Sequence, residues 1–593
     1  MSQQHHLATN PVLANPEHPA ANPQPQPHTA HHPGDPAQAR SAEIDLAAIR
    51  HNVATLAAKV APAKTMVVVK ADAYGHGALP VALAAQAGGA HLIGTAHLTE
   101  ALKLRDEGLQ GELAAWLHTV DAPFEEALAA DIQIGISGWE LPAVTAAARK
   151  LKTTALVHLK VDTGLGRNGC SLLDWPTLLR HAAEAEAAGT IKVVGIFSHL
   201  AVSEELDHPA TPHQLENFEQ ALNQAAAAGI TPQYRHIANS AAAIAWPQAR
   251  YDLVRVGLST YGLSPFAEKT PAQLELIPAM TLRSRVANVK RVATGTGVSY
   301  GWHYHTHEGS TLALIPMGYA DGIPRSASAG PVQIHGITYH AVGTVAMDQF
   351  ALDLSEHQEA PEVNIGDEAI LFGPEPAPSA SDWADAAGTI NYEIVTRIMP
   401  RTPRRYRNAE LRFRLPTAAA TTAVAARLAT QLEPGDGLIL SGELGAGKTT
   451  FTQGLAAGMG IDAAITSPTF VLARHHDNPA GTPLVHVDAY RLADAAELYD
   501  IDLDQSAPTS VTVVEWGRGK AEELFDSWLD IELIRATGTA AATTDFSEED
   551  VDEPREMIIR PHGPRFASYA AIQALHGLGL ATDDATPLER ERA

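Results

Sequence analysis

TMVVVKADAYGHG, residues 65–77, is the stretch on which the fold of this chain turns. Its apolar run is continuous rather than alternating, as in a strand buried on both faces of a parallel sheet. The run stops at Lys70, and a turn follows at once. Seven further runs of the same kind follow before about residue 265: HLIGTA, LAAWLH, IQIGIS, ALVHLKVD, VVGIFSHL, RHIANS and VRVGLS. Ala-rich helical stretches such as ALPVALAAQAGGA separate them. Eight strands alternating with helices predict an α/β architecture, a (β/α)8 barrel over 41–270. In such a barrel the polar residues that end the strands, here Lys70, Lys160, His199 and Ser240, gather on the catalytic face.

Beyond residue 275 the texture changes. TLRSRVANVKRV, STLALIPMG, PVQIHGITYHAVGTV and EAILFG read as strands of a separate, mainly antiparallel β domain over 271–400. PRTPRRYRNAE, residues 400–410, is basic and contains proline, so 401–410 is expected to be a linker. Residues 411–565 read as a small P-loop α/β domain. Inside it, the polar and acidic 535–554 is expected to form a disordered loop between two final strands, WLDIELI and EMIIR. Residues 566–593 are expected to be a C-terminal tail.

The first forty residues, rich in His, Pro, Gln and Ala, bury too little apolar surface to offset their ordering entropy and are expected to be disordered. A metal site at His5, His6, His31 and His32 is less expected than a solvated tail. The single cysteine, Cys170, excludes an internal disulfide framework and fits a reducing cytoplasm. A small buried thiol is its expected state. No apolar run is long enough for a transmembrane helix. The net charge is −26, more than half of it from residue 410 onward, which argues against an autonomous nucleic-acid binder.

SGELGAGKTT, residues 441–450, contains G-x-x-x-x-G-K-T. Such a loop wraps the phosphates of ATP with backbone N–H groups. Gly442, Glu443, Gly445, Ala446, Gly447, Lys448, Thr449 and Thr450 are the expected nucleotide contacts. Lys448 would reach the β- and γ-phosphates and Thr449 would ligate Mg²⁺. An apolar run enters the loop and a helical segment leaves it, the context this motif requires. Asp488 and Glu515 follow apolar runs, as carboxylates serving a P-loop do.

Lys70 sits where a lysine can be desolvated and form a Schiff base. Around it stand AEIDLAAIRHN, VVKADAYGHG, HLKVDTGLGRNG, GIFSHLA, ANSAA, VRVGLSTYG, GVSYG, PMGYADG, MDQ and NYEI. By this set, residues 43–405 resemble alanine racemases, pyridoxal-phosphate enzymes of fold type III. The resemblance implies that Lys70 carries pyridoxal 5'-phosphate and serves as the base for the D-face of alanine. Tyr300 would be the base for the L-face, its phenolate supported through His199 and Arg255. Arg255 would face the pyridine nitrogen and Arg167 the phenolic oxygen and substrate. Lys160 matches a lysine that is carbamylated in many members. Tyr74, Ser240, Tyr392, Gly257 and Leu258 would hold the phosphate, and Met347 and Asp348 the substrate. In the family Tyr300 and Met347 come from the partner subunit, so a homodimer is implied. The family usually has arginine where this chain has Thr344.

ITSPTFVL, HVDAYRL and VVEWGRG follow the P-loop in order, and this set resembles the ATPase of tRNA threonylcarbamoyladenosine biosynthesis (TsaE type). That resemblance implies Glu515 with Thr449 at the metal and Asp488 as a catalytic acid. It also implies a nucleotide-side role for Trp516 and a switch segment holding Ser467 and Thr469. ATP hydrolysis would reset a complex with partner subunits that modifies adenosine 37 of tRNA, with tRNA contacted only indirectly. The two resemblances together imply a bifunctional cytoplasmic bacterial enzyme, supplying D-alanine for peptidoglycan and serving tRNA modification. Racemisation of serine, and a small-molecule kinase at the P-loop, are the alternative readings.

Overall fold

The structure is a computed structural model and describes residues 39–307, 309–357, 359–468, 471–479, 481–492, 496–499, 503–535 and 553–579. All eight apolar runs are strands of one parallel sheet: Lys64–Val68, Leu92–Thr95, Glu112–Ala115, Ile132–Ile136, Ala155–Lys160, Ile191–Phe197, Tyr234–His236 and Leu253–Val256. The first strand pairs with the last, Lys64 opposite Leu253. The remaining seam is held by Asp252 N donating to Arg235 O (3.2 Å) and Arg255 N to Ala238 O (3.0 Å). The result is a nearly closed barrel. Almost every strand position is buried, which is why these runs carry no polar alternation.

The second sheet has nine strands and is antiparallel except at one edge. It departs from the expected boundaries twice. Residues 41–45 do not belong to the barrel. Strand Arg40–Asp45 lies in the nine-stranded sheet, antiparallel to Met280–Arg285 and parallel to Arg404–Arg407. The stretch 401–410 is not a linker, because Arg404–Arg407 is that edge strand. Its arginines act as staples rather than as a solvated spacer. Arg404 donates to the carbonyls of Gly75 (3.0 Å), Met399 (2.8 Å) and Thr402 (3.0 Å). Arg407 pairs with Glu43 (2.9 Å) and Asp45 (3.3 Å).

The P-loop domain is a seven-stranded sheet. Its four parallel strands run in the spatial order Trp528–Arg535, Gly437–Ser441, Val511–Glu515, Leu484–Asp488. WLDIELI and EMIIR are strands as expected, and they pair with each other in the antiparallel ladder Trp528–Arg535 with Arg555–His562. The expected loop between them falls almost wholly on 536–552, outside the described residues, as do the N-terminal histidines and Thr469.

The expected C-terminal tail is helical over Tyr569–Gly577. Ser568 caps it, accepting Ala571 N (3.1 Å). Ile572, Leu575 and Leu578 are buried. One contiguous cluster of buried apolar residues runs from the barrel through the β domain into the P-loop helices. A second core fills the other face of the P-loop sheet.

Candidate active sites in the barrel and at the P-loop

Lys70 ends the first barrel strand and begins a left-handed turn. Ala71, Asp72, Ala73 and Tyr74 all have φ between 52° and 54°. For L residues this backbone costs about 1–2 kcal/mol each, so the surroundings must impose it. Glu100 does part of this, its carboxylate accepting Ala71 N at 2.7 Å and Ala96 N at 2.9 Å. Asp72 turns back on the next helix and accepts Ala78 N (2.9 Å). The turn swings Tyr74 inward, its ring 4.8 Å from that of Tyr261 and 6.2 Å from that of Tyr392.

The barrel mouth opens into a cavity of ≈ 570 Å³. Lys70, Tyr74, Lys160, Arg167, His199, Ser240, Arg255, Gly257, Leu258 and Tyr392 all line it. These are ten of the thirteen barrel-side residues singled out from the sequence. Among the lining residues five are cationic and one, Glu393, is acidic. Burial and neighbouring Arg167 hold the Lys70 amine below its ordinary range. Burial, then Arg255 and Arg167, lower Lys160 to about 8. Burial, reinforced by Arg255, keeps His199 neutral well below the usual histidine range.

Hydrogen bonds fix the tautomers. Arg255 can only donate, so His199 Nδ1 (3.2 Å) and His236 Nδ1 (3.0 Å) accept. His199 therefore carries its proton on Nε2. His236 Nε2 donates to His158 Nδ1 (3.0 Å), and His158 Nε2 to Gln133 Oε1 (2.7 Å). Arg255 also donates to Ser198 O (2.7 Å), which locks its guanidinium plane across the barrel.

At the far end of the cavity Ser240 Oγ accepts Gly257 N (3.1 Å). A Cβ on Gly257 would stand 2.4 Å from the Tyr74 hydroxyl, so only glycine leaves this corner open. Hydroxyls of Tyr74, Ser240 and Tyr392 with the amides of Gly257 and Leu258 make a cradle of donors without a carboxylate, the chemistry a phosphate needs. An amine, two guanidiniums and this cradle fit pyridoxal phosphate.

Three residues singled out from the sequence are not in this cavity. Tyr300 is 71 % exposed and Met347 52 %. Asp348 is tied to Arg401 (2.7 Å), which also grips the fully buried Asp321. Thr344 lies beneath Tyr300, donating to its carbonyl at 2.8 Å, while Ser299 Oγ donates to Thr344 O at 2.6 Å. Cys170 is a buried thiol pushed up to about 11 by burial and Asp174, so it stays protonated. Sequence reasoning missed Glu100, whose only signal is the capping-box pattern HLTE. It also missed Trp116, Phe197 and Glu393, which line the cavity from stretches read as a strand or as family motifs with no role given to these side chains.

At the P-loop, helix Lys448–Gly458 starts directly from Gly447. Lys448 Nζ donates to Gly442 O (2.9 Å) and Glu443 O (3.1 Å) and lies 4.1 Å from the Trp516 ring centroid. Burial lowers its pKa, while Glu515 and Asp488 oppose the shift. Asp488 and Glu515 are register neighbours at the ends of adjacent parallel strands. Thr449 Oγ1 donates to Glu515 Oε1 (3.2 Å), and Ser467 Oγ to Asp488 Oδ2 (3.4 Å). The expected set thus converges. His486 was missed. Buried two residues before Asp488, it binds Glu515 Oε1 at 3.0 Å.

A parallel barrel with a desolvated lysine and a phosphate cradle at its mouth defines a class, the lysine-dependent aldehyde-cofactor enzymes, here continuous with a P-loop domain. Known families agree. Residues 44–265 match the model of the alanine racemase N-terminal domain and 279–406 that of the alanine racemase C-terminal domain. Residues 415–542 match the model of threonylcarbamoyl adenosine biosynthesis protein TsaE. Alanine racemase of Thermobifida fusca is 50% identical over 372 residues, 62% of this chain and 98% of that protein. That of Streptomyces coelicolor is 48% identical over 390 residues, 64% and 99%. The crystal structure of alanine racemase from D-cycloserine-producing Streptomyces lavendulae superposes with a TM-score of 0.61 at 50% identity, covering 62% of this chain and 97% of that one. The chain belongs to the alanine racemase family and carries a TsaE domain behind it.

Proposed function

We propose that the chain interconverts L- and D-alanine with pyridoxal phosphate, and that its P-loop part is the Mg-ATP-hydrolysing member of the tRNA threonylcarbamoyladenosine machinery. The observation that carries the first half is the convergence of Lys70, Arg255, Arg167, His199 and the phosphate cradle on one cavity. The bound cofactor supplies an electron sink for the carbanion formed when alanine loses its α-proton. Lys70, kept below the usual lysine range, is available as a neutral amine to take or return that proton at Nζ. A second base must serve the opposite face. Tyr300 lies outside the cavity of its own chain, which supports its delivery by a second copy in a homodimer. His199, with its proton on Nε2, would donate to the phenolate of a tyrosine delivered in this way and support it as a base. Arg255, a cation without a carboxylate partner in its hydrogen bonds, would face the pyridine nitrogen of the bound cofactor and, offering it no proton, would restrain side reactions. Lys160, at about 8, reaches the neutral form that carbamylation requires. The product would serve peptidoglycan in a bacterial cytoplasm.

Glu515 and Asp488 at neighbouring strand ends, with Thr449 in the first turn of the helix after the loop, support a Mg-ATP site with Glu515 at the metal and Asp488 acting on the attacking water. The test is D-alanine formation from L-alanine by the purified full chain with pyridoxal phosphate, read by chiral chromatography, beside phosphate release from Mg-ATP. Absence of D-alanine with cofactor bound sinks the racemase half. Phosphate transfer to a metabolite instead of hydrolysis stimulated by tRNA-modification partner subunits sinks the ATPase half.

A further inference from the structure

The P-loop part reaches the racemase site through one helix, Tyr569–Gly577, which follows the last strand of its sheet. This helix lies on the barrel, not on its own domain alone. The Tyr569 hydroxyl donates to Glu107 Oε2 at 2.7 Å and accepts Leu79 N at 3.4 Å. The ring lies 5.5 Å from Lys103 Nζ and 6.3 Å from the ring of Tyr406. Ala567 O accepts Tyr406 N at 2.6 Å, and His576 binds Gly108 O at 3.2 Å. Packing is close enough that a Cβ on Gly77 would strike Tyr406 and stand 3.3 Å from the Tyr569 ring.

The two groups Tyr569 joins are the two supports of the Lys70 turn. Glu107 caps the C-terminal end of helix Leu98–Asp106, whose first turn carries Glu100, the residue that holds Ala71 N. Leu79 is in the first turn of helix Ala78–Ala87, whose leading amide, Ala78 N, is held by Asp72. The contacts therefore close a ring: Ala71 to Glu100, along the helix to Glu107, across Tyr569 to Leu79, and back through Ala78 to Asp72. Lys70 and Tyr74 bracket the left-handed turn inside that ring. Within the barrel the same two helical segments are joined further along, where Gln86 Nε2 donates to Gln110 O at 2.6 Å, and at the Glu107–Leu79 gap Tyr569 bonds both sides.

We infer that Tyr569, contributed by the segment beyond the P-loop sheet, is a positioning residue for the racemase, clamping the turn that presents Lys70 and Tyr74 to the cofactor. The inference rests on the racemase reading of the barrel. It makes the ATPase part a structural arm of the other site rather than a passenger.

The test uses the full chain and the variants Tyr569→Phe and Tyr569→Ala. Read are the dissociation constant of pyridoxal phosphate by absorbance titration, the circular dichroism of the bound cofactor, kcat and KM for alanine, and Tm. A loosened turn predicts about tenfold weaker cofactor binding and a matching fall in kcat for Tyr569→Ala, with KM for alanine unchanged. Tyr569→Phe keeps the ring and is expected to show about a third of that change. Val485→Ala, in the core on the far face of the P-loop sheet, supplies a variant of lowered Tm away from the clamp. Cofactor binding within about twofold of wild type in both Tyr569 variants overturns the inference, as does an equal shift in Val485→Ala. A chain that binds the cofactor yet makes no D-alanine defeats the functional reading, while the dissociation constants still decide the clamp.

Discussion

The two candidate sites are built on opposite plans. The barrel cavity draws its residues from strands, turns and helices spread over more than 300 positions, from Lys70 to Tyr392, and concentrates positive charge. The P-loop site is one contiguous loop with two carboxylates at neighbouring strand ends. The first is electrostatically incomplete until an anion arrives; the second is incomplete until a cation accompanies its nucleotide. On the proposed function, the contrast keeps two phosphate-binding chemistries apart in one chain. Excess lysine and arginine suit a phosphate monoester without metal, and buried Asp and Glu suit Mg-ATP.

The sharpest way to break this comparison is Lys70→Ala. D-alanine formation is expected to fall by about 10⁴-fold, with Mg-ATP hydrolysis unchanged. Tyr300→Phe is expected to cost about 10³-fold. If the cavity is completed by a second copy, mixing the Lys70→Ala and Tyr300→Phe chains rebuilds one intact site per mixed dimer and recovers up to about a quarter of wild-type turnover. No recovery on mixing means Tyr300 serves its own chain. Lys448→Ala tests the other plan: phosphate release is expected to drop about 10²-fold while racemisation holds.

A smaller effect separates the sites by pH. The Lys160 amine is held down in the folded chain, to about 8, from an ordinary lysine value of 10.5. Between those values the unfolded chain holds the proton and the folded chain has lost it. The folding cost of burying the charged amine is thus fully present below about 8 and is relieved as pH rises toward 10.5. Denaturant melts of the cofactor-free chain should show stability rising across that window, with the rise reduced in Lys160→Met. The smallest expected effect is at Thr344. Thr344→Arg places a cation beside Tyr300, where the family usually has one, and is expected to lower KM for alanine about threefold, measured against unchanged kcat.

The barrel strands were legible because burial on both faces writes itself as unbroken apolar runs. The chemistry at their ends was legible because polar residues there have few structural reasons to exist. The P-loop was legible because its contacts are local in sequence. What escaped had weaker signatures. Arg404–Arg407 reads as a solvated spacer, and only its partners Gly75, Met399 and Glu43 reveal an edge strand. Glu100 acts on Ala71 from 29 positions away, through a backbone amide that leaves no trace in side-chain pattern. Helix Tyr569–Gly577 is short, and the surface it covers belongs to another domain, so its own periodicity could not announce it.

Only residues 408–410 lie between the last strand of one sheet and the first strand of the next, Leu411–Leu415. Fully extended, they span about 10 Å. Asn408 is spoken for by Asp45 and Arg50, and Glu410 by Arg412 and Arg560. There is no tether to pay out, so on the proposed function the nucleotide face cannot wander to find partner subunits; the whole molecule must come to them. Two such chains paired through the racemase would present two nucleotide faces at one fixed spacing. On the proposed function, a complex that docks on one face meets the second either at a productive distance or not at all, so valency, rather than affinity alone, becomes a property of the racemase part.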